Sequence, residues 1–312
     1  MNLNAIEAEN LHKSYGSKEA VRGITFQIPK GCVYGFLGPN GAGKTTTLRM
    51  LMDIISPDKG SITILGSNSI QLVRNKIGYL PEEKGLYKAM TAESFMAFLG
   101  ALKGMKKNEA LRKARLSLEK FGMGEYSRTK LAGLSKGQGQ KIQFLASILH
   151  EPEIVIFDEP FSGLDPVNQQ SLEEMIIRLS KEGKTVIFST HVMQHAERLC
   201  DKFLLISSGE KIFDGNIQEA RQILQKRAFL VTDGNPGFLN SHEGILSVIP
   251  DMSSADARIK TNGTKWEICM DKNVTPHSIL EFCYKEQIEV SQFEYAEPSL
   301  HEIFVHLVES NT

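Results

Sequence analysis

The stretch Gly38-Pro39-Asn40-Gly41-Ala42-Gly43-Lys44-Thr45 decides the fold. It follows the apolar run Cys32-Val33-Tyr34-Gly35-Phe36-Leu37 and leads into Thr46-Thr47-Leu48-Arg49-Met50-Leu51, which reads as a helix. A strand, a glycine-rich loop ending in lysine and a hydroxyl, and then a helix is the arrangement that holds a nucleoside triphosphate. Glycines let successive backbone N–H groups face the phosphates, and the helix N-terminus adds positive potential. Lys44 is placed to reach the β- and γ-phosphates and Thr45 to ligate Mg²⁺. Gly38, Asn40, Gly41, Gly43, Lys44, Thr45 and Thr46 are the candidate binding residues. A plain turn before a helix would need neither the lysine nor the hydroxyl.

Working outward, Ile154-Val155-Ile156-Phe157-Asp158-Glu159 is an apolar strand ending in two acids. Acids at the carboxyl edge of a parallel sheet stand where ligands bind in such folds. Asp158 is expected to hold the Mg²⁺ shell and Glu159 to polarise an attacking water. Between the two motifs lies Leu134-Ser135-Lys136-Gly137-Gln138-Gly139-Gln140-Lys141. Here Ser135 and Gly137 stand before a helix expected over Gln138 to Leu149, so a hydroxyl and free N–H groups at its N-terminus offer a second anion-binding device.

The three motifs, in their chain order of phosphate loop, helix-opening serine and strand-end acids, resemble the ABC ATPase family, with the stretch 134–141 as its signature. The resemblance spans residues 4 to about 222 and implies ATP as the nucleotide. Ser162-Gly163-Leu164-Asp165 is similar to the family's D-loop, His191 stands at its switch histidine, and Tyr15 resembles the aromatic that stacks on adenine. On this resemblance Glu159, His191 and Lys44 are the catalytic residues. Two positions depart from the family. Glu82 stands where a glutamine is usual, a further oxygen toward Mg²⁺ that also adds negative charge near the phosphates. Lys136 replaces the first glycine of the signature. The run Gly78-Tyr79-Leu80-Pro81-Glu82-Glu83-Lys84-Gly85-Leu86-Tyr87, together with Glu297-Pro298-Ser299-Leu300-His301-Glu302-Ile303-Phe304, further resembles the sodium-efflux branch of bacterial ABC exporters. Such a resemblance implies an ATP-hydrolysing subunit that energises export through a separate membrane permease. It also implies paired ATPase subunits, Ser135 and Gly137 of one facing Lys44 of the other. With both patches intact, a homodimer is expected.

Composition agrees with these expectations. The chain has 312 residues, 41% hydrophobic and 23% charged, which are globular values and argue against disorder. With Lys and Arg at 36 against Asp and Glu at 37, the formal charge is −1. Coating a polyanion is therefore not its main task, and no nucleic-acid partner is expected. The rival reading, a soluble ABC ATPase acting as a mechanical switch on ribosomes or nucleic acid, would call for two cassettes, a coiled-coil insertion or a basic aromatic strip. No apolar run approaches the 18 residues that span a bilayer. The opening MNLNAIEAEN carries acids in place of a basic n-region. The expected location is cytoplasmic, peripheral on the inner face of the membrane through the permease. Cys32, Cys200, Cys269 and Cys283 show no CxxC and read as buried apolar fillers.

Short β-rich runs at 24–28, 32–37, 61–65, 77–80, 154–157, 185–189 and 203–206 alternate with helical patterns, which predicts an α/β domain with a largely parallel sheet. Residues 84–150 read as a helical insertion, the face expected to meet the permease. Of its apolar residues Phe95, Met96, Phe98, Leu99 and Leu102, most are expected in its own core. Residues 225–312 carry 7 Lys and Arg against 13 Asp and Glu, so the tail is acidic. The expected architecture is a P-loop NTPase domain of ABC ATPase type over residues 1–222, followed by a small α+β accessory domain over 223–312. The latter has strands near 228–231, 245–249, 265–270 and 288–293, and helices near 277–285 and 299–308.

Overall fold

A computed structural model describes residues 3–82, 87–250, 263–271 and 274–310. The chain divides into two compact units, Met1–Asn216 and Ile217–Thr312. Composition shifts near residue 223, whereas the structural division falls at Asn216.

The first unit opens with β1 (Asn4–Tyr15), β2 (Lys18–Pro29), β3 (Val33–Leu37), helix α1 (Lys44–Leu51) and β4 (Lys59–Ile64). Helix α2 (Ile70–Val73) precedes β5 (Ile77–Leu80), and three helices follow, α3 (Ala92–Leu102), α4 (Lys107–Lys120) and α5 (Lys136–Ile148). The unit closes with β6 (Ile154–Phe157), α6 (Pro166–Lys181), β7 (Thr185–Thr190), α7 (Met193–Leu199), β8 (Lys202–Ser207) and β9 (Glu210–Gly215).

Its central sheet has the order β5-β6-β7-β3-β8-β9, parallel except for β9. Strands β3, β6 and β7 are buried along their whole length, as strands covered on both faces must be. The two-residue period of β6 divides its side chains between two cores. Val155 and Phe157 pack with α3, α4, α5 and α6, and Ile154 and Ile156 pack with α1 and the second sheet. That second sheet, β2-β1-β4, is antiparallel. The runs at 24–28 and 61–65 therefore do not join the parallel sheet. Their partner β1 escapes a simple reading of the sequence because Glu7, Glu9, His12 and Lys13 interrupt its apolar pattern.

In the helical segment, Phe95 and Met96 are buried and Leu99 is half-buried against the core, but Phe98 and Leu102 are exposed. Glu83, Lys84, Gly85 and Leu86, at the start of that segment and within the run resembling the sodium-efflux branch, lie outside the described residues. Three of the four cysteines are half-buried and Cys283 is buried.

The second unit comprises α8 (Ile217–Arg221), β10 (Lys226–Thr232), β11 (Ile245–Pro250), β12 (Thr264–Met270), α9 (Pro276–Lys285), β13 (Val290–Ala296) and α10 (Leu300–Ser310). Its strands form an antiparallel sheet in the order β11-β12-β10-β13. Alternate residues Ala228 and Leu230 of β10 and Ile268 and Met270 of β12 meet Ile279 and Cys283 of α9 in a small apolar core.

Candidate nucleotide site

The carboxyl ends of β3, β6 and β7 are neighbours in the sheet, so their following residues converge. The loop after β3 turns sharply, with Gly38 at φ +151°, Gly41 at +80° and Gly43 at +109°. Close approach fixes two of these glycines. A Cβ at Gly38 would lie 2.1 Å from the Ile206 carbonyl oxygen, and one at Gly43 would lie 2.5 Å from that of Ala20. The loop wraps Lys44, which is 5% exposed. Its Nζ donates to the carbonyls of Gly38 at 2.7 Å and Pro39 at 3.2 Å, and stands 3.4 Å from Oε1 of Glu159.

Residues after β6 and β7 supply the opposing charges. Asp158 is 1% exposed, and its Oδ1 accepts from Ser189 Oγ at 2.6 Å and Thr45 Oγ1 at 3.1 Å. Its Oδ2 has no hydrogen-bond partner among the described residues. Burial pushes its carboxyl above the usual range, against the pull of the Ser189 and Thr45 hydroxyls. Ser189 uses both capacities of its hydroxyl, because its Oγ also accepts the Glu159 N–H at 2.8 Å. Glu159 is buried, and its Oε2 lies 3.1 Å from His191 Nδ1. Its backbone sits at φ +46°, a left-handed conformation that costs on the order of 1–3 kcal/mol and persists where surroundings impose it.

A cleft of about 300 Å³ opens over this floor. It is lined by Tyr15, Lys18 and Ala20 from β1 and β2, by residues 40–46, and by Glu82 and Glu159. Tyr15 is 50% exposed at the rim of the cleft, with Lys13 Nζ 6.0 Å from its ring centroid. Gly38, Asp158 and His191 stand behind the lining, bonded to Lys44, Thr45 and Glu159 respectively.

The signature residues are placed elsewhere. Ser135, Gly137 and Gln138 open α5 and are not part of the cleft lining. Ser135 Oγ accepts the Gln138 N–H while Gln138 Oε1 accepts the Ser135 N–H, a reciprocal cap that uses the Gln138 side chain on the helix itself. Asp165 caps α6 without that reciprocity: its Oδ1 accepts the Asn168 N–H at 2.9 Å and its Oδ2 the Asn168 side-chain amide at 2.6 Å, ahead of Pro166 at the first helical position.

Reading the sequence missed Ser189, Lys18 and Gln140. Ser189 carried a faint signal, a hydroxyl at the end of the apolar run 185–189 just before His191. Lys18 carried none, although it pairs with Tyr15 across the β1–β2 turn, and Gln140 carried none because it acts on the Pro160 carbonyl 20 positions away.

A family profile described as ABC transporter matches residues 21–162. Over 301 residues, covering 96% of this chain and 97% of the relative, the sequence is 40% identical to the Bacillus subtilis protein named uncharacterized ABC transporter ATP-binding protein YhaQ. The chain belongs to the ABC transporter ATP-binding proteins. A second profile, the C-terminal domain of DrrA1-3-like ATP-binding proteins, matches residues 215–308. The linearmycin resistance ATP-binding protein LnrL of Bacillus subtilis is 32% identical over 308 residues, 97% of each chain. The ABC transporter ATP-binding protein NatA of the same organism is 39% identical over 204 residues, 64% of this chain and 83% of NatA. Among solved structures, an ATP binding subunit of an ABC transporter superposes with a TM-score of 0.64 at 29% identity, over 70% of this chain and 92% of that one. Like its relatives, this ABC protein is an ATP-binding and ATP-hydrolysing transporter subunit built on a P-loop α/β domain. No helix among the described residues is long and apolar enough to cross a membrane.

Proposed function

We propose that two copies of this chain enclose ATP between them and drive export through a separate permease, working peripherally on the cytoplasmic face of the membrane. The observation that carries the reading is the placement of Glu159, held between Lys44 and His191 on the floor of the loop cleft. Relatives named for linearmycin resistance and as NatA support an exporter. The helical segment, with Phe98 and Leu102 exposed, is the surface proposed to meet the permease.

Each residue then has a role. Loop N–H groups at 40–46 cradle the phosphates, and the Lys44 ammonium offsets charge that develops on the γ-phosphoryl group. Glu159 orients a water and takes up its proton, while His191 at its second oxygen fixes the carboxylate. Tyr15 stacks on the base. The Thr45 hydroxyl and Asp158, whose buried Oδ2 has no hydrogen-bond partner among the described residues, are hard oxygen donors suited to Mg²⁺, which would neutralise phosphate charge, and Glu82 in the cleft lining offers another. Ser135 and Gly137 lie outside the lining of their own cleft, which supports a reading in which their helix end closes the cleft of a second copy.

ATP-dependent association tests this reading. Purified Glu159→Gln, which keeps the phosphate loop and loses the water base, should double from the 34.8 kDa chain mass on adding ATP and Mg²⁺, and stay single with ADP. Light scattering that finds one mass in both conditions would contradict it.

A further inference from the structure

The turn after β6 is held by more elements than a single carboxylate needs. Glu159 is left-handed, and three different elements grip three successive residues there. Ser189 of β7 holds the Glu159 N–H at 2.8 Å. Gln140 of α5 donates from Nε2 to the Pro160 carbonyl at 3.0 Å. His195 of α7 stacks on the Phe161 ring at 4.1 Å between centroids, 17° from parallel. Proline has no N–H, so its carbonyl is the one backbone group by which residue 160 can be hydrogen-bonded.

Gln140 is the unexpected member of this set. It is 3% exposed, and its Oε1 has no hydrogen-bond partner among the described residues. A buried amide with its acceptor unmet is costly, and an apolar side chain of the same length would fill the space without that cost. What glutamine adds here is the donor to Pro160. Its helix begins at the signature, since α5 is capped by Ser135. A second contact joins the same two segments. A Cβ at Gly137 would lie 2.5 Å from Asn168 Nδ2, so the start of α5 seats directly on the first turn of α6. The stretch from Pro160, next to Glu159, to Asn168 thus meets the signature helix at both ends.

We infer that Gln140 is a positioning residue that ties the signature end of α5 to the Glu159 turn of the same chain. The inference rests on the composite-site reading above. In a two-fold pair, Ser135 of one copy meets the ATP of the other, and the Gln140 link passes that engagement to the Glu159 of its own site. Each site then sets the carboxylate of its neighbour, and hydrolysis is cooperative. Gln140 touches no nucleotide in this scheme. Its loss should uncouple the sites while leaving nucleotide affinity in place.

The test is steady-state ATP hydrolysis by the full chain as a function of ATP, for wild type, Gln140→Met and Gln140→Leu. Both variants remove the donor and keep an apolar side chain in the space, so one suffices if the other does not fold. Wild type should give a Hill coefficient above unity. The variants should lose about tenfold in turnover, keep half-saturating ATP within about twofold, and fall to a Hill coefficient of unity. A side chain that merely packs α5 would lower thermal stability and leave cooperativity unchanged. Cooperative hydrolysis in wild type and equally in a folded variant overturns the Gln140 link alone. Non-cooperative hydrolysis in wild type overturns the composite-site reading and the link with it.

Discussion

The unit Met1–Asn216 buries Lys44, Asp158, Glu159, Glu93, Glu173 and His195, whereas in Ile217–Thr312 the only buried polar or charged residue among those described is Thr232. In the second unit, charges pair at partly exposed positions, as Arg227 does with Glu267 and Glu302. Burying charge is expensive unless partners compensate it. The first unit accepts that cost at Asp158 and Glu159, each with a buried carboxylate oxygen that has no hydrogen-bond partner among the described residues. The second unit has an apolar core of ordinary kind beneath one sheet. The contrast teaches where to look for chemistry: at the charges a fold has buried without fully satisfying them.

The sharpest way to break the contrast is Glu159→Gln. The amide keeps the size and loses the base, so turnover should fall about 10²–10⁴-fold with ATP affinity retained. Phosphate release and equilibrium binding on one preparation separate the two; near-normal release would move the water base elsewhere.

Ile279→Ala addresses the other unit. Ile279 is fully buried in the small core, and its truncation should destabilise that unit by about 2–5 kcal/mol. Calorimetry should show an early transition while ATP turnover of the folded chain stays within about twofold. A matching collapse of turnover would mean that the second unit shares in the chemistry.

A smaller effect, confined to the first unit, concerns acid. His150 Nε2 lies 3.2 Å from the Ile77 carbonyl, which also accepts from Lys103 Nζ at 2.9 Å. Burial, and then the nearby Lys103 charge, push its imidazole down to about 4. The fold therefore favours the neutral ring. Its contribution is whole above the unfolded value of about 6.5 and is lost as pH falls from there toward 4, at most about 3 kcal/mol. His150→Gln, neutral throughout, should flatten that part of the melting-temperature profile. Identical profiles between pH 6.5 and 4 would contradict the assignment.

The legible parts of the site were those where chemistry dictates residue type at fixed spacing. Lysine and threonine after a glycine loop, paired acids after an apolar strand, and a serine opening a helix can each be read within a few residues of sequence. Ser189 and Gln140 act across 31 and 20 positions on Asp158 and Pro160, and such reach leaves no local pattern. The same distinction holds for the fold. Strands β3, β6 and β7 announced themselves as continuous apolar runs, while β1, with one face toward solvent and charges scattered along it, did not. In the second unit most elements could be read, yet the order β11-β12-β10-β13 could not, because strand order depends on pairing between distant segments.

The central claim is that each ATP is enclosed by the phosphate loop of one copy and the signature of another. Mixing two defective chains tests it most directly. Lys44→Ala cannot hold the phosphates productively and Ser135→Arg cannot supply the signature, so each alone should be inactive. In a mixed pair, one site joins an intact loop to an intact signature, and a fraction of wild-type hydrolysis should return, rising with protein concentration. A mixture that stays inactive, together with wild-type turnover per chain that does not change with concentration, would contradict the claim.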